Sequence, residues 1–381
     1  MTITAPKDEA ELAALVKATG QAFRIEGLGT KTALGNPVAA RDVLSLRHFK
    51  GIEVYEPEEL ILEAGAATPL KVLEKTLAGK GQMLAFEPPD YSSLLGATSP
   101  GSLGGVVACG LSGPRRVRAG AARDHVLGFS GVTAEGVRMR AGARVVKNVT
   151  GYDLAKLATG SYGTLVAMTS IIVKVLPRPE TEETVVLRGV DDGTAMRLMS
   201  EAMQSAADVS AAAHLPGEGT YLRLEGIGPS VAARRDRLVK LLQRDAGVLG
   251  DRESAKLWGE IRDVKPFWSL NTSCIWRLGV TPTDGAKIAS AITGQLDAVH
   301  FFDWAGGLIW LAVANRDDGG EAVIRSALAS GHATLVRAPA SVRERVSAFT
   351  PQAPALAALA ARVKAAFDPG NRFNPGLMVK G

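Results

Sequence analysis

Residues 98–128 read TSPGSLGGVVACGLSGPRRVRAGAARDHVLG, and here four arginines, Arg115, Arg116, Arg118 and Arg123, meet one carboxylate, Asp124. Guanidinium forks offer paired, fixed donors to phosphate or carboxylate oxygens. Gly101, Gly104, Gly105, Gly110, Gly113 and Gly120 punctuate the stretch, and glycine lets a backbone turn tightly and lie close to a ligand. The apolar run Val106, Val107, Ala108 inside it marks a segment with a buried side rather than a mobile surface loop. Two other glycine loops carry compatible chemistry. Gly27-Leu28-Gly29-Thr30-Lys31 follows a strand-like run, and successive N–H groups in such a turn form an anion nest to which Thr30 and Lys31 add donors. It is not a Walker loop, because Thr30 separates Gly29 from Lys31, nor a Rossmann fingerprint, because Thr32 stands where the third glycine belongs. Gly160-Ser161-Tyr162-Gly163-Thr164 follows the polar run Lys147-Asn148-Val149-Thr150-Gly151-Tyr152-Asp153-Leu154.

The elements that must carry these loops are short and mixed. Asp8 and Glu11 form a capping-box pattern ahead of Leu12, Leu15 and Val16, so residues 8–19 are predicted helical. Strands are expected at 21–26, 43–46, 52–55, 60–64 and 83–86, with a helix over 70–77 that takes Thr68 as N-cap and Pro69 as first residue. A hairpin over 129–140 and a strand over 165–175 lead to Pro177, Pro179 and the acidic run 180–183, read as a domain boundary. Beyond it a strand–helix–strand pattern runs through 184–188, 194–206, 220–225 and 231–245, and repeats through 275–280, 285–295, 298–304 and 308–314, as in a split βαβ layout. Helix 231–245 carries Arg234, Arg235, Arg237, Lys240 and Arg244 and is read as a solvated face. The fold class is therefore α+β rather than a doubly wound sheet.

A chain of 381 residues suits two domains, and 46% hydrophobic with 22% charged residues is a globular composition. A net charge of +5 does not by itself argue for nucleic acid. Cys109 and Cys274 make no disulfide framework or metal spacing, and Cys109 is expected to pack as a small hydrophobe. The five histidines, His48, His125, His214, His300 and His332, are scattered without ligand spacing, so no metal is expected. The N-terminus lacks a signal-peptide pattern and no long apolar run occurs, which gives a soluble, cytoplasmic expectation with any membrane contact made through partners.

Together these motifs resemble the flavoproteins with a vanillyl-alcohol-oxidase or p-cresol-methylhydroxylase (PCMH) type FAD domain. EGLGTK is similar to that family's pyrophosphate loop, SLGGVVACGLSGPRRVRAGAARDHVLG to its second flavin-wrapping segment, KNVTGYDLAKLATGSYGTL to its third and AAFDPGNRFNPG to its C-terminal return. More narrowly, GLSGPRR, ARDHVLG, KNVTGYDL, KVLPRP and FDWAGG are similar to the accessory FAD-binding subunits of glycolate oxidases. The resemblance implies a two-subdomain PCMH-type FAD domain over 1–178, a smaller ferredoxin-like cap over 179–345, and a C-terminal helix and tail over 346–381 returning to the FAD domain. It implies FAD pyrophosphate binding by Gly27, Leu28, Gly29, Thr30 and Lys31, and ribityl and isoalloxazine contacts from Gly104, Gly105, Gly110, Gly113, Arg115, Gly120, Arg123 and Asp124. Pro89 and Ser99 would border the cofactor, Gly160 and Gly163 its ribityl and phosphate groups, the backbone at Met168 its adenine, and Asn374 its pyrimidine edge.

Three departures shape the functional reading. The histidine-rich metal run of relatives that oxidise D-2-hydroxy acids is absent; His125 and Arg123 are weak catalytic candidates, and Asp124 is expected to be buried against Arg123. The pyrophosphate loop lacks the histidine or cysteine of covalently flavinylated relatives, so FAD is expected to be noncovalent. Val166 replaces a glycine common in the family and would crowd the adenine end. The resemblance implies a subunit that works with a larger FAD-containing catalytic subunit and an iron–sulfur subunit on a small 2-hydroxy acid, converting glycolate to glyoxylate. Two alternatives stay open: a non-catalytic electron-relay or assembly subunit, and an independent D-lactate or sugar oxidase.

Overall fold

The computed structural model describes residues 2–144, 151–314 and 316–380. The expected run 147–150 lies outside them. The chain divides into two compact units: Met1–Ser112, Gly120–Arg178 and Pro351–Gly381 form the first, and Gly113–Ala119 with Pro179–Thr350 the second. The seven residues Gly113–Ala119, assigned from the sequence to the first domain, thus pack with the second.

In the first unit, β1 (Ile3–Thr4), β2 (Phe23–Glu26) and β3 (Asp42–Ser45) make a parallel sheet in the order β1-β3-β2. The helix Glu9–Thr19 starts at the expected N-cap: Asp8 Oδ1 accepts the Glu11 N–H at 2.8 Å, while Glu11 Oε2 accepts the N–H of Lys7 at 2.8 Å, one residue before the N-cap N–H that a capping box would use. It stops at Gly20 with φ +60° and buries Leu12 and Val16 in a cluster with Phe23, Leu44, Val132 and Phe373. Next come β4 (Ile52–Glu56), β5 (Ile61–Gly65), the two-residue β6 (Gln82–Met83), β7 (Val126–Val132), β8 (Arg138–Gly142), β9 (Ala167–Lys174) and β10 (Leu176–Pro177). Five of them form an antiparallel sheet in the order β4-β5-β9-β7-β8. The helix Leu70–Ala78 takes Pro69, not Thr68, as N-cap. The Thr68 hydroxyl instead accepts the Gly51 N–H and donates to Gly65 O at 2.6 Å, fastening the end of β5. The C-terminal tail returns to the first sheet: Phe23 N–H donates to Arg372 O, Asn374 N–H donates to Phe23 O, and Phe373 is fully buried.

The second unit contains one eight-stranded antiparallel sheet made of two similar halves. In the first half β11 (Thr181–Leu187), the helix Asp192–Gln204, β12 (Ala211–Leu215), β13 (Gly219–Gly226), the helix Gly228–Leu242 and β14 (Gly247–Leu249) follow in turn. The second half runs β15 (Cys274–Gly279), helix Gly285–Thr293, β16 (Ala298–Asp303), β17 (Leu308–Val313), helix Glu321–Ala327 and β18 (His332–Arg337). The sheet order β14-β11-β13-β12-β16-β17-β15-β18 is therefore two split βαβ modules joined edge to edge at β12 and β16, with His214 registered on Phe302. A common core contains Leu198, Met199, Leu222, Trp276, Ile292, Phe302 and Leu311. The basic helix Gly228–Leu242 is not uniformly solvated. Arg234 donates to Glu225 O and Ala207 O, and Arg235 pairs with Glu183 at 2.8 Å.

Candidate functional site

Within the first unit, β2 feeds directly into Gly27-Leu28-Gly29-Thr30-Lys31, where Gly29 takes φ +71°. Opposite this loop the apolar run inside residues 98–128 is a helix, Leu103–Cys109, with Ser102 as N-cap. Its approach is so close that a Cβ on Gly27 would lie 3.0 Å from Ser102 Oγ, and one on Gly104 would lie 2.8 Å from both Cβ and O of Ala66. The loop at 160–164 closes on the other end of this helix: Gly160 N–H donates to Val107 O at 3.0 Å and Tyr162 N–H to Ala108 O at 2.7 Å. Gly110 and Gly160 both have positive φ, and a Cβ on Gly110 would meet Gly160 Cα at 3.2 Å. Asn374 clips these parts together, its Oδ1 accepting the Ile25 N–H and its Nδ2 donating to Tyr162 O, each at 2.8 Å.

The result is a single cleft whose walls include Gly27, Leu28, Gly29, Thr30, Lys31, Gly104, Gly105, Gly163, Met168 and Asn374. Val166 also lines it, at the position where the sequence suggested crowding. Lining residues not singled out from the sequence include Arg24, Glu26, Ser102, Cys109 and Tyr162. The Ser-x-x-Gly spacing of Ser102 and Gly105 was the available signal for a short helix, since Ser102 Oγ accepts the Gly105 N–H at 3.3 Å. Cys109, expected in the core, stands half-buried at the cleft wall. Burial pushes its thiol up to about 11, against the attraction of the Lys31 ammonium.

Lys31 carries the cleft's electrostatics. Burial lowers its amine below the ordinary lysine value, opposed by the neighbouring Cys109 thiol and Asp90 carboxylate. Among the described residues its hydrogen bonding amounts to a 3.5 Å contact with Thr30 Oγ1. A desolvated ammonium so weakly engaged would gain from an anion placed beside it.

Other expected residues do not line this cleft. Pro89, Ser99, Gly110 and Gly160 are not among the lining residues, and neither are Gly120, Arg123 and Asp124. Asp124 is exposed rather than buried, 3.9 Å from Arg123, and its Oδ2 caps the short helix Ala122–His125 by accepting the Ala121 N–H at 2.9 Å. His125 is buried with its ring 5.6 Å from that of Phe86, away from the cleft wall. Gly113 and Arg115 belong to the second unit. There Arg115 grips Glu225 with two hydrogen bonds, Nε–Oε2 at 3.0 Å and Nη2–Oε1 at 2.6 Å. Burial raises the Glu225 carboxyl, but Arg223 and Arg115 outweigh it and bring it down to about 2. The rest of the segment is held in the same unit: Trp304 Nε1 donates to Gly113 O at 3.0 Å, the Arg116 guanidinium lies 4.3 Å over the Trp304 ring, and Arg118 meets Asp208 at 2.7 Å.

The histidines are scattered in sequence but not all in space. His214 and His300 converge on Asp192, at 3.2 Å and 2.7 Å. No group of His, Cys, Asp and Glu among the described residues has metal-binding geometry.

The family model described as an FAD binding domain matches residues 2–142. The chain is 35% identical over 355 residues to glycolate oxidase subunit GlcE of Escherichia coli K12, covering 93% of this chain and 91% of that protein. It is 32% identical over 197 residues to glycolate oxidase subunit GlcD of Bacillus subtilis, covering 51% of this chain and 39% of that one. In three dimensions it resembles 4-ethylphenol oxidase from Gulosibacter chungangensis (TM-score 0.74, 12% identity, 98% of this chain and 88% of that one). It also resembles an alkyldihydroxyacetonephosphate synthase (TM-score 0.70, 15% identity, 98% and 76%). These structural likenesses establish the mixed α+β fold of vanillyl-alcohol-oxidase and PCMH type flavoenzymes. With 35% identity over 93% of its length, the chain belongs to the family of glycolate oxidase subunit GlcE.

Proposed function

We propose that this chain binds FAD noncovalently in the first-unit cleft and serves as the FAD-binding subunit of a glycolate oxidase complex. The observation that carries the reading is Lys31, a partly desolvated ammonium beside a glycine nest and without a carboxylate bound to it among the described residues. The site chemistry fits the cofactor. A diphosphate would satisfy Lys31, Thr30 and the N–H groups of residues 27–31, and the glycine backbone at 104, 105 and 163 leaves room for an extended polar stem. When bound, FAD supplies two-electron oxidation chemistry for the alcohol carbon of a 2-hydroxy acid. A protonated Cys109 thiol is a poor nucleophile, which agrees with noncovalent attachment. Arg115, engaged by Glu225 in the second unit, carries no cofactor contact in this reading.

The partners in this reading are a larger GlcD-type flavin subunit and an iron–sulfur subunit, acting together on glycolate in the cytoplasm. No helix of the described residues is long and apolar enough to cross a membrane. A second reading, in which this chain's FAD relays electrons while the larger subunit oxidises substrate, is favoured by the cleft walls. Their titratable side chains are Arg24, Glu26, Lys31, Cys109 and Tyr162, with no histidine.

The test is anaerobic mixing of the FAD-loaded chain with glycolate and with D-lactate while flavin absorbance is followed. Bleaching of the isolated chain at a catalytic rate supports direct oxidation. Bleaching that requires the partner subunits supports the relay. A chain that takes up no FAD overturns both.

A further inference from the structure

We infer that the C-terminal helix Pro354–Phe367 docks into a concave apolar groove on a different subunit of the complex, an inference that rests on the subunit reading above. The helix reads PALAALAARVKAAF, and none of its residues is buried; Leu356 is 59% exposed and Leu359 48%. Alanine, leucine and valine run around its whole circumference instead of along one stripe. In a soluble protein an all-round apolar helix is one that becomes enclosed, and a helix of this length is marginal in water without tertiary packing.

The chain tethers this helix without covering it. Lys364 Nζ donates to Thr164 O at 2.7 Å and to Phe373 O at 3.0 Å and pairs with Asp368, which in turn accepts the N–H groups of Arg372 and Phe373. Thr164 also meets Met378 Sδ at 3.7 Å, so the exposed Met378 adjoins the tethered end and extends the apolar surface.

Area decides between occupants. Fourteen residues span about 21 Å, and one stripe of a cylinder roughly 10 Å wide offers only about 200 Å². A second copy of this chain presents the same convex helix and covers one such stripe, far short of the roughly 800 Å² per partner of a stable interface. A groove that wraps most of the cylinder gains about three times more, and Met378 and Val379 add to it. The helix carries no carboxylate, and Arg362 is exposed on it, so the groove's rim is expected to be acidic.

The test co-expresses the full chain with GlcD-type and iron–sulfur subunits and compares Leu356→Glu/Leu359→Glu with Leu356→Met/Leu359→Met. The glutamate variant should recover at least tenfold less partner subunit while keeping wild-type FAD uptake and melting temperature, and the methionine variant should recover partner normally. Partner recovery that is equally good with both glutamates present overturns the docking alone. Wild-type chain that recovers neither subunit overturns the subunit reading and the docking with it. A dimer of the isolated chain that the glutamates dissolve assigns the helix to a second copy and overturns the groove. Glutamate-sensitive sedimentation with phosphatidylglycerol vesicles assigns it to lipid and does the same.

Discussion

Asp192 Oδ2 receives the His300 ring nitrogen at 2.7 Å, and its other oxygen holds His214 at 3.2 Å, so one carboxylate bridges the two strands at which the modules of the eight-stranded sheet meet. The Nδ1 side of His214 is fixed in turn by Thr220 Oγ1 at 2.8 Å. Partial burial raises the Asp192 carboxyl, but the hydrogen bonds from His214 and His300 outweigh it and hold it well below the usual carboxylate range. A depressed pKa contributes stability that is complete above the unfolded value and is lost as pH falls through the folded one. Asp192→Asn should therefore destabilise the second unit by about 1–3 kcal/mol at neutral pH. The gap to wild type should narrow below about pH 4. Urea unfolding at pH 7 and pH 3 checks this; a gap that does not change with pH means that the bridge carries no charge.

Arg115 and Glu225 make a second interior pair, and removing Arg115 leaves the buried carboxylate with Arg223, 3.6 Å away, as its remaining cation. Arg115→Ala is expected to cost about 1–3 kcal/mol, the loss of its charged hydrogen bonds, with Arg115→Lys recovering only part of it because an ammonium cannot reproduce the two-pronged contact. The carboxyl sits at about 2 in the folded chain, so the wild-type contribution persists above the ordinary glutamate range and fades on acidification towards that value. Thermal melts and flavin titrations separate the roles. A large loss of FAD affinity with an unchanged melt would return Arg115 to the cofactor.

For Lys31 the order of effects is reversed. Its amine is held back by burial, with Thr30 as its weak hydrogen-bond neighbour, so Lys31→Ala should change stability little and weaken FAD binding about 10–100-fold, the size of one charge-assisted contact. Because the amine titrates below an ordinary lysine, wild-type affinity should fall at a lower alkaline pH than an ordinary lysine would impose, and the alanine variant should lack that fall. Fluorescence titration of FAD between pH 7 and pH 10 reads both. Parallel pH profiles for the two proteins would exclude Lys31 as the anion's partner.

How much of this is legible in the sequence depends on how local each determinant is. The turn at residues 27–31 and the N-cap at Asp8 are readable because turn and cap chemistry is settled within a few residues. Ala211, Ala212, Ala213, His214 and Leu215 are not: alanine favours helices locally, and here the central position of β12 between β13 and β16 imposes a strand. The same distance hides the pairing of His214 with His300. Arg115 displays its chemistry but not its partner, since Glu225 reaches it only through the packing of Gly113–Ala119 in the second unit. Asp124 beside Arg123 suggests a buried pair, whereas both side chains stay in solvent.

Glycine content tells where backbones are close, and the structure sorts which glycines matter. Gly104 faces Ala66, whose Cβ and O would both be 2.8 Å from a new methyl. Gly104→Ala should cost about 1–3 kcal/mol as the helix Leu103–Cys109 is forced outward, and FAD uptake should drop with it. Gly259 lies in the helix Asp251–Arg262, and a methyl added there would meet nothing within 4 Å. Gly259→Ala should instead stabilise by about 0.5–1 kcal/mol. Equal effects of the two substitutions in thermal melts would contradict this packing.

Cys109 offers a reporter of cofactor position that does not depend on turnover. With its thiol at about 11, the thiolate fraction at pH 8 is about two orders of magnitude below that of a free cysteine, and alkylation should be slowed accordingly. Since the residue lines the cleft beside Lys31, bound FAD should slow it further, and Cys109→Ser should still take up FAD. Maleimide labelling at pH 8, with peptide mass analysis to separate Cys109 from the buried Cys274, measures both effects. Labelling of Cys109 at the same rate with and without saturating FAD would mean that the cofactor does not occupy the cleft walled by Gly27, Lys31 and the helix Leu103–Cys109.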